Sequence, residues 1–151
     1  MEISSTEVKQ RMTHFEDVCR NSGIKLTHQR IEIFRELAQT GNHPDAEKVY
    51  QGVRKRMPTV SLDTVYRTLW MLKDLGLVIT LGTAREKTRF DADLSPHHHF
   101  VCVRCGLTQD LFCKEFDKIK PPKSVKELGQ AETTHVEVRG VCLSCAKKEK
   151  T

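Results

Sequence analysis

The chain has 151 residues, 38% hydrophobic and 30% charged, with a formal net charge of +5 at pH 7. That length suits one domain or two small ones sharing a modest core. No apolar run approaches the ~18 residues that a membrane helix needs, and the polar start MEISSTEVKQ does not read as a signal peptide. The expected compartment is therefore the cytoplasm, where cysteines serve metal or redox chemistry rather than a disulfide framework.

Residues 1–90 carry 15 Lys/Arg against 11 Asp/Glu, and residues 91–151 carry 10 against 9. A basic N-terminal half is compatible with a nucleic-acid partner, and equally with an ordinary solvated surface.

Along the chain, Val8, Met12, Phe15 and Cys19 fall at helical spacing, and Asn21-Ser22-Gly23 ends that helix. Thr27 can cap a second helix whose apolar face is Ile31, Phe34, Leu37 and Ala38. Pro44 suits the first position of a third helix, with Ala46, Val49, Tyr50, Val53 and Met57 on one side and Pro58 as its stop. Ser61 can cap a fourth helix running to about Leu75, closed by Gly76. Its expected buried stripe is Leu62, Val65, Leu69 and Leu72, and its opposite side shows Asp63, Tyr66, Arg67 and Trp70. LVITL and KTRFD then read as two short strands around a turn.

Helices followed by a hairpin, with MPTV as the turn between the third and fourth helices, fit a winged helix-turn-helix. The fourth helix would enter the major groove, and Arg85, Lys87 and Arg89 on the hairpin would reach phosphates. A small helical bundle with a solvated charged face is the bland alternative.

Beyond residue 91 the texture changes. HHHFVCV, LTQDLF and THVEVRGV are short strand candidates, and CKEFDKIK is a short helix stopped by Pro121-Pro122. The lysine-rich tail KKEKT is expected to fray. The expected fold class is therefore α+β, with residues 1–91 expected as a winged helix-turn-helix domain and residues 92–151 as a small second α/β domain.

Cys102-Val-Arg-Cys105 and Cys142-Leu-Ser-Cys145 are two CxxC pairs. Four thiolates in two such knuckles suit tetrahedral Zn²⁺ with no open position, a structural site that helps fold a small domain. A redox dithiol would explain one pair and leave the other unaccounted for. Cys19 reads as a buried helix residue, and Cys113 has no evident partner.

His97 and His99 point the same way on a strand and His98 the other way. With Asp91, Asp93 and Asp110 nearby, two imidazoles on one face can begin a nitrogen-and-carboxylate site for Fe²⁺, Mn²⁺ or Zn²⁺. A chance run of three histidines is the competing reading. A metallohydrolase would need a substrate pocket and a general base, and no such motif is apparent. A zinc-ribbon interaction module would leave TVYRTL and His43 unexplained.

LTHQR, HPDAEKVY, VSLDTVYRTLWML, RFD, HHHFVCVRCG, Asp110 and VCLSCAKK resemble, in order and approximate spacing, the ferric uptake regulator (Fur) family from about residue 10 to residue 148. The resemblance implies a homodimeric, metal-dependent repressor of palindromic double-stranded DNA operators. Its second domain would dimerise and carry the structural zinc on Cys102, Cys105, Cys142 and Cys145. A regulatory metal, Fe²⁺ or Mn²⁺, would bridge the two domains through His43, Asp91, His97, His99 and Asp110. On the fourth helix, Ser61, Thr64, Tyr66 and Arg67 are the candidate DNA contacts.

Asp110 is similar to the peroxide-responsive PerR branch, since iron-responsive members usually carry Glu there. That implies Fe²⁺-catalysed oxidation of a ligand histidine, His43 or His97, and loss of repression. An iron-sensing or zinc-sensing repressor of the same family is the alternative. His28 departs from the family's usual proline, and His98 and His135 are expected to be surface or structural residues.

Overall fold

The computed structural model describes residues 2–82 and 87–149. The chain divides into two compact units, Met1–Leu94 and Ser95–Thr151. No helix among the described residues is long and apolar enough to cross a membrane.

The first unit holds four helices and a two-stranded ribbon. The helices are α1 (Ser5–Asn21), α2 (His28–Gln39), α3 (Ala46–Arg54) and α4 (Leu62–Asp74), and β1 (Ile79–Leu81) pairs antiparallel with β2 (Arg89–Asp91). Each helix begins on a capping side chain that accepts an otherwise orphaned backbone N–H. Ser4 takes that of Glu7, Thr27 that of Arg30, Asp45 that of Lys48 and Ser61 that of Thr64. The α4 helix ends where Gly76 turns left-handed at φ +73°, with Gly76 N–H donating to the Lys73 carbonyl and Leu77 N–H to that of Leu72.

Phe15 stacks on Phe34 with ring centroids 4.5 Å apart. Around them close Cys19, Ile33, Leu37, Val49, Val53, Val65, Leu69, Leu72 and Phe90, all buried. Apolar burial of this kind holds the four helices and the ribbon together as one unit.

Three details differ from the sequence expectation. Pro44 does not open α3: the Asp45 carboxylate supplies the cap, and the Pro44 carbonyl instead accepts the Phe90 N–H. Leu62 is only half-buried and Thr68 takes its place in the stripe, because the α4 face turned to the core is Val65, Thr68, Leu69 and Leu72. The C-terminal segment is helical from Leu143 to Glu149, its first turn anchored at the second cysteine pair. Lys150 and Thr151 of the tail, and Arg85 of the hairpin, lie outside the described residues.

The second unit is a three-stranded sheet ordered β4-β3-β5. Its strands are β3 (His98–Cys102), β4 (Thr108–Leu111) and β5 (Glu137–Gly140), antiparallel between β3 and β4 and parallel between β3 and β5. Two short helices, α5 (Lys114–Asp117) and α6 (Leu143–Glu149), and a 3₁₀ turn at Lys123–Glu127 complete it. Among the described residues of this unit the buried hydrophobics are Cys102 and Cys142, while Val103, Phe112, Leu128 and Leu143 are exposed. The described residues of this unit therefore form no aliphatic core of their own.

Candidate metal centre

The four cysteines of the two CxxC pairs meet in the second unit, with their sulfurs within 4.8 Å of one another. Cys102 closes β3, and Gly106 at φ +75° lets the chain turn back so that Gly106 N–H donates to the Cys102 carbonyl. Cys142 and Cys145 flank the start of α6. Backbone N–H groups point at the sulfurs: Cys142 donates to Cys102 Sγ at 3.3 Å and Cys145 to Cys142 Sγ at 3.4 Å. N–H bonds from Cys105 and Cys142 hold the Cys102 thiol down to about 6, and thiol hydrogen bonding with Cys142 and Cys105 pushes Cys145 up to about 12. The donor set fits zinc. A tetrahedron with metal–sulfur bonds of about 2.3 Å has edges of about 3.8 Å, and Cys105 Sγ lies 3.8 Å from Cys142 Sγ.

The predicted nitrogen and carboxylate ligands form a pair in one unit and a triad in the other. In the first unit His43 Nε2 lies 3.2 Å from Asp91 Oδ2, both side chains buried. Among the described residues His43 is the one non-glycine with positive φ, 49°, a sparsely populated backbone conformation that turns the chain into Pro44. The bond from Phe90 N–H to the Pro44 carbonyl and the bridge between Asp45 and Arg89 fasten this loop to β2, the strand that ends in Asp91.

In the second unit His97 and His99 converge on Asp110, with Nε2 to Oδ1 distances of 3.6 and 3.4 Å. The register of β3 on β4 sets His99 opposite Asp110. His97 Nδ1 lies 2.6 Å from the Ser95 carbonyl. The carbonyl can only accept, so Nδ1 donates to it and Nε2 is the ring nitrogen turned to Asp110. An imidazole nitrogen and a carboxylate oxygen at this separation suit a shared cation, since neighbouring ligands about 2.1 Å from one metal stand roughly 3.0–3.5 Å apart. The chemistry of both donor groups fits a borderline divalent ion.

His98 points to the other side of β3, as strand alternation requires. Its Nδ1 accepts the Val136 N–H at 2.9 Å and its Nε2 donates to Asp117 at 2.9 Å, which ties α5 and the approach to β5 onto the central strand. His98 is thus structural and buried. No periodicity announced this role, because both partners lie at least 19 residues away in sequence. His135 is exposed, with its ring 6.4 Å from that of His99. Cys19 sits in the first unit's core, and Cys113 donates to Glu115.

On α4, Tyr66, Arg67 and Ser61 are exposed and Thr64 is half-buried. The Ser61 and Thr64 hydroxyls are 2.9 Å apart, and Arg67 pairs with Asp63 at 2.6 Å in an exposed bridge worth little. Lys87, expected to reach phosphate, is held by Glu47 at 2.9 Å.

The sequence pattern of the ferric uptake regulator family matches residues 21–139. A peroxide-responsive repressor, PerR, of Staphylococcus aureus is 32% identical over 131 residues, 85% of this chain and 87% of the relative. The ferric uptake regulator of Helicobacter pylori superposes with a TM-score of 0.75 at 20% identity, covering 97% of each chain, a likeness of fold. The Campylobacter jejuni peroxide stress regulator gives a TM-score of 0.66 at 25% identity over 89% of this chain and 98% of that one. With the winged helix, the four-sulfur cluster and the histidine–aspartate groups, this match over most of the chain shows that it belongs to the ferric uptake regulator family of metal-responsive transcriptional repressors.

Proposed function

We propose that this chain is a peroxide-responsive repressor of the cytoplasm. It would bind a palindromic operator as a homodimer, with one Zn²⁺ on Cys102, Cys105, Cys142 and Cys145 and one regulatory Fe²⁺ or Mn²⁺ on His43, Asp91, His97, His99 and Asp110. The observation that carries the reading is the convergence of His97 and His99 on Asp110, matched by the His43–Asp91 pair. The short carboxylate at 110 and the 32% identity to a peroxide-responsive repressor support the peroxide branch.

Asp91 and His43 would hold the ion from the DNA-binding unit, and His97, His99 and Asp110 from the second unit. Holding one ion from both sides restricts their relative orientation and spaces two α4 helices for the half-sites of an operator. A shift from 1:99 to 99:1 in favour of that arrangement takes about 5.5 kcal/mol of differential binding. Tyr66 and Arg67 would then meet a thymine methyl and a phosphate or guanine, with Ser61 and Thr64 at the helix N-terminus beside them. The exposed Val103, Phe112, Leu128 and Leu143 would be covered by the second copy.

Bound Fe²⁺ would activate H₂O₂ so that one oxygen is added at a ring carbon of a ligand imidazole, which supplies the two electrons, and the other oxygen leaves as water. An oxidised His43 or His97 no longer offers its Nε2 lone pair, so the two units lose their tie and operator affinity falls.

The test is anaerobic loading with Fe²⁺ or Mn²⁺, a small addition of H₂O₂, and peptide mass spectrometry. The expected result is a gain of one oxygen at His43 or His97 with iron and none with manganese. Unmodified histidines in iron-loaded protein that still binds operator would make it an iron- or zinc-sensing repressor instead.

A further inference from the structure

Arg11 looks in sequence like the second member of an ordinary surface pair, Glu7 and Arg11 one helical turn apart. In the structure its side chain is only 11% exposed, which is rare for arginine without a dedicated set of acceptors. Its guanidinium donates to Glu7 Oε1 at 2.6 Å and to the Ala38 carbonyl at the end of α2 at 3.2 Å, and it faces Asp93 Oδ2 at 4.0 Å.

Asp93 in turn fixes Asp91. The Asp93 N–H donates to Asp91 Oδ1 at 2.9 Å, which leaves Asp91 Oδ2 as the oxygen 3.2 Å from His43 Nε2. The two carboxylate oxygens of Asp91 are thereby sorted, one to the backbone and one to the imidazole. Asp91 closes β2 and Asp93 lies two residues beyond it, so the turn carries two acidic side chains close together and a cation against it also offsets their repulsion.

We propose that Arg11 is a positioning residue for the regulatory metal. From α1 it anchors the Asp91–Asp93 turn and so sets the orientation of the Asp91 carboxylate toward the ion. The inference rests on the metal site read above, with Asp91 as a ligand. Partners that orient metal ligands typically change affinity about 10–100-fold when removed, and Arg11 acts one step further out, so its loss should cost about tenfold.

The experiment titrates Mn²⁺ into zinc-replete full-length protein, with thermal midpoint and zinc content measured alongside. The variants are Arg11→Met, Arg11→Lys, Asp93→Asn, the Arg11→Met/Asp93→Asn double, Asp91→Ala and Val18→Ala. Val18→Ala is a loss of apolar contact with the first unit's core on the same helix, about two turns along from Arg11. We expect Arg11→Met and Asp93→Asn each to weaken Mn²⁺ binding about tenfold, the double to be no weaker than the weaker single, and Arg11→Lys to recover part of the loss. Zinc content should stay constant, and Val18→Ala should lower the thermal midpoint while leaving Mn²⁺ affinity unchanged. Asp93→Asn conserves volume and keeps the test valid if Arg11→Met folds poorly. Affinity within twofold of wild type in Arg11→Met and Asp93→Asn, while Asp91→Ala abolishes binding, would overturn this inference alone. Additive losses, or an equal loss in Val18→Ala, would also overturn it. Mn²⁺ binding that survives Asp91→Ala would overturn the metal-site reading and this inference with it.

Discussion

Replacing Cys145 with serine should unfold the second unit and spare the first. The unit spanning residues 95–151 falls below the roughly 70–80 residues at which a single core begins to supply more than about 3–5 kcal/mol. Its buried hydrophobic residues among those described are Cys102 and Cys142, both zinc-ligand candidates, so its own core contributes less than that bound. Structural zinc in small peptides is worth about 10–16 kcal/mol. Losing one of four thiolates therefore removes about 2.5–4 kcal/mol if the ligands share the energy evenly, before any loss of the ion itself. That is comparable with the most that the unit's own core could contribute, and loss of the ion would exceed it. Hydrogen exchange reads the result directly. Amides of β3 and its neighbours, such as His99 N–H to the Val136 carbonyl and Val103 N–H to that of Gly140, should lose protection. Amides of α1, α2 and α4 should keep theirs, because the first unit's core does not include this cluster. Protected β3 amides in zinc-free Cys145→Ser protein would refute the claim that zinc holds this unit together.

Other expectations follow from single contacts. Leu69→Ala removes a fully buried side chain from the first unit's core and should cost about 2–5 kcal/mol in urea unfolding of that unit. Ser61→Ala removes the cap on Thr64 N–H and should cost about 1 kcal/mol. Gly76→Ala meets no atom within 4 Å but forces a side chain into φ +73°, so a loss of about 1 kcal/mol should come from the backbone alone and be smaller with asparagine. Arg67→Ala should weaken operator binding and reduce the slope of log affinity against log salt by about one per protomer if Arg67 holds a phosphate. An unchanged slope would assign it to a base or to solvent.

Much of the fold was legible because local chemistry and tertiary structure agree. Thr27 and Ser61 announced two helix starts, Gly76 a helix end, and LVITL with KTRFD a ribbon, and each stands where its residue types suggested. The register at Pro44 was not legible, since a proline and the following aspartate are both good helix openers and only the Phe90 hydrogen bond to the Pro44 carbonyl decides between them. Leu62 failed for a similar reason: four apolar positions fit more than one stripe, and tertiary contact selected Thr68. The cysteine pairs were legible from spacing alone, because a knuckle is a local structure. The histidine–aspartate groups were legible only in part. Alternation set His97 and His99 apart from His98, but the left-handed turn at His43 and the partners of His98 depend on contacts far along the chain. Arg11 illustrates the limit. Its helical neighbour Glu7 accounts for it completely in sequence, and only the fold brings the Ala38 carbonyl and Asp93 to the same guanidinium.

The most direct test of the central claim is the Mn²⁺ stoichiometry of the zinc-replete protein, measured for wild type, His43→Ala and Asp110→Ala. One regulatory ion held by both units predicts one Mn²⁺ per chain in wild type and loss of that same ion in either variant, although one substitution lies in each unit. Retention of one Mn²⁺ per chain in both variants, or a second equivalent in wild type, would mean that the two ligand groups act separately, and the account of a metal tying the two units together would be wrong.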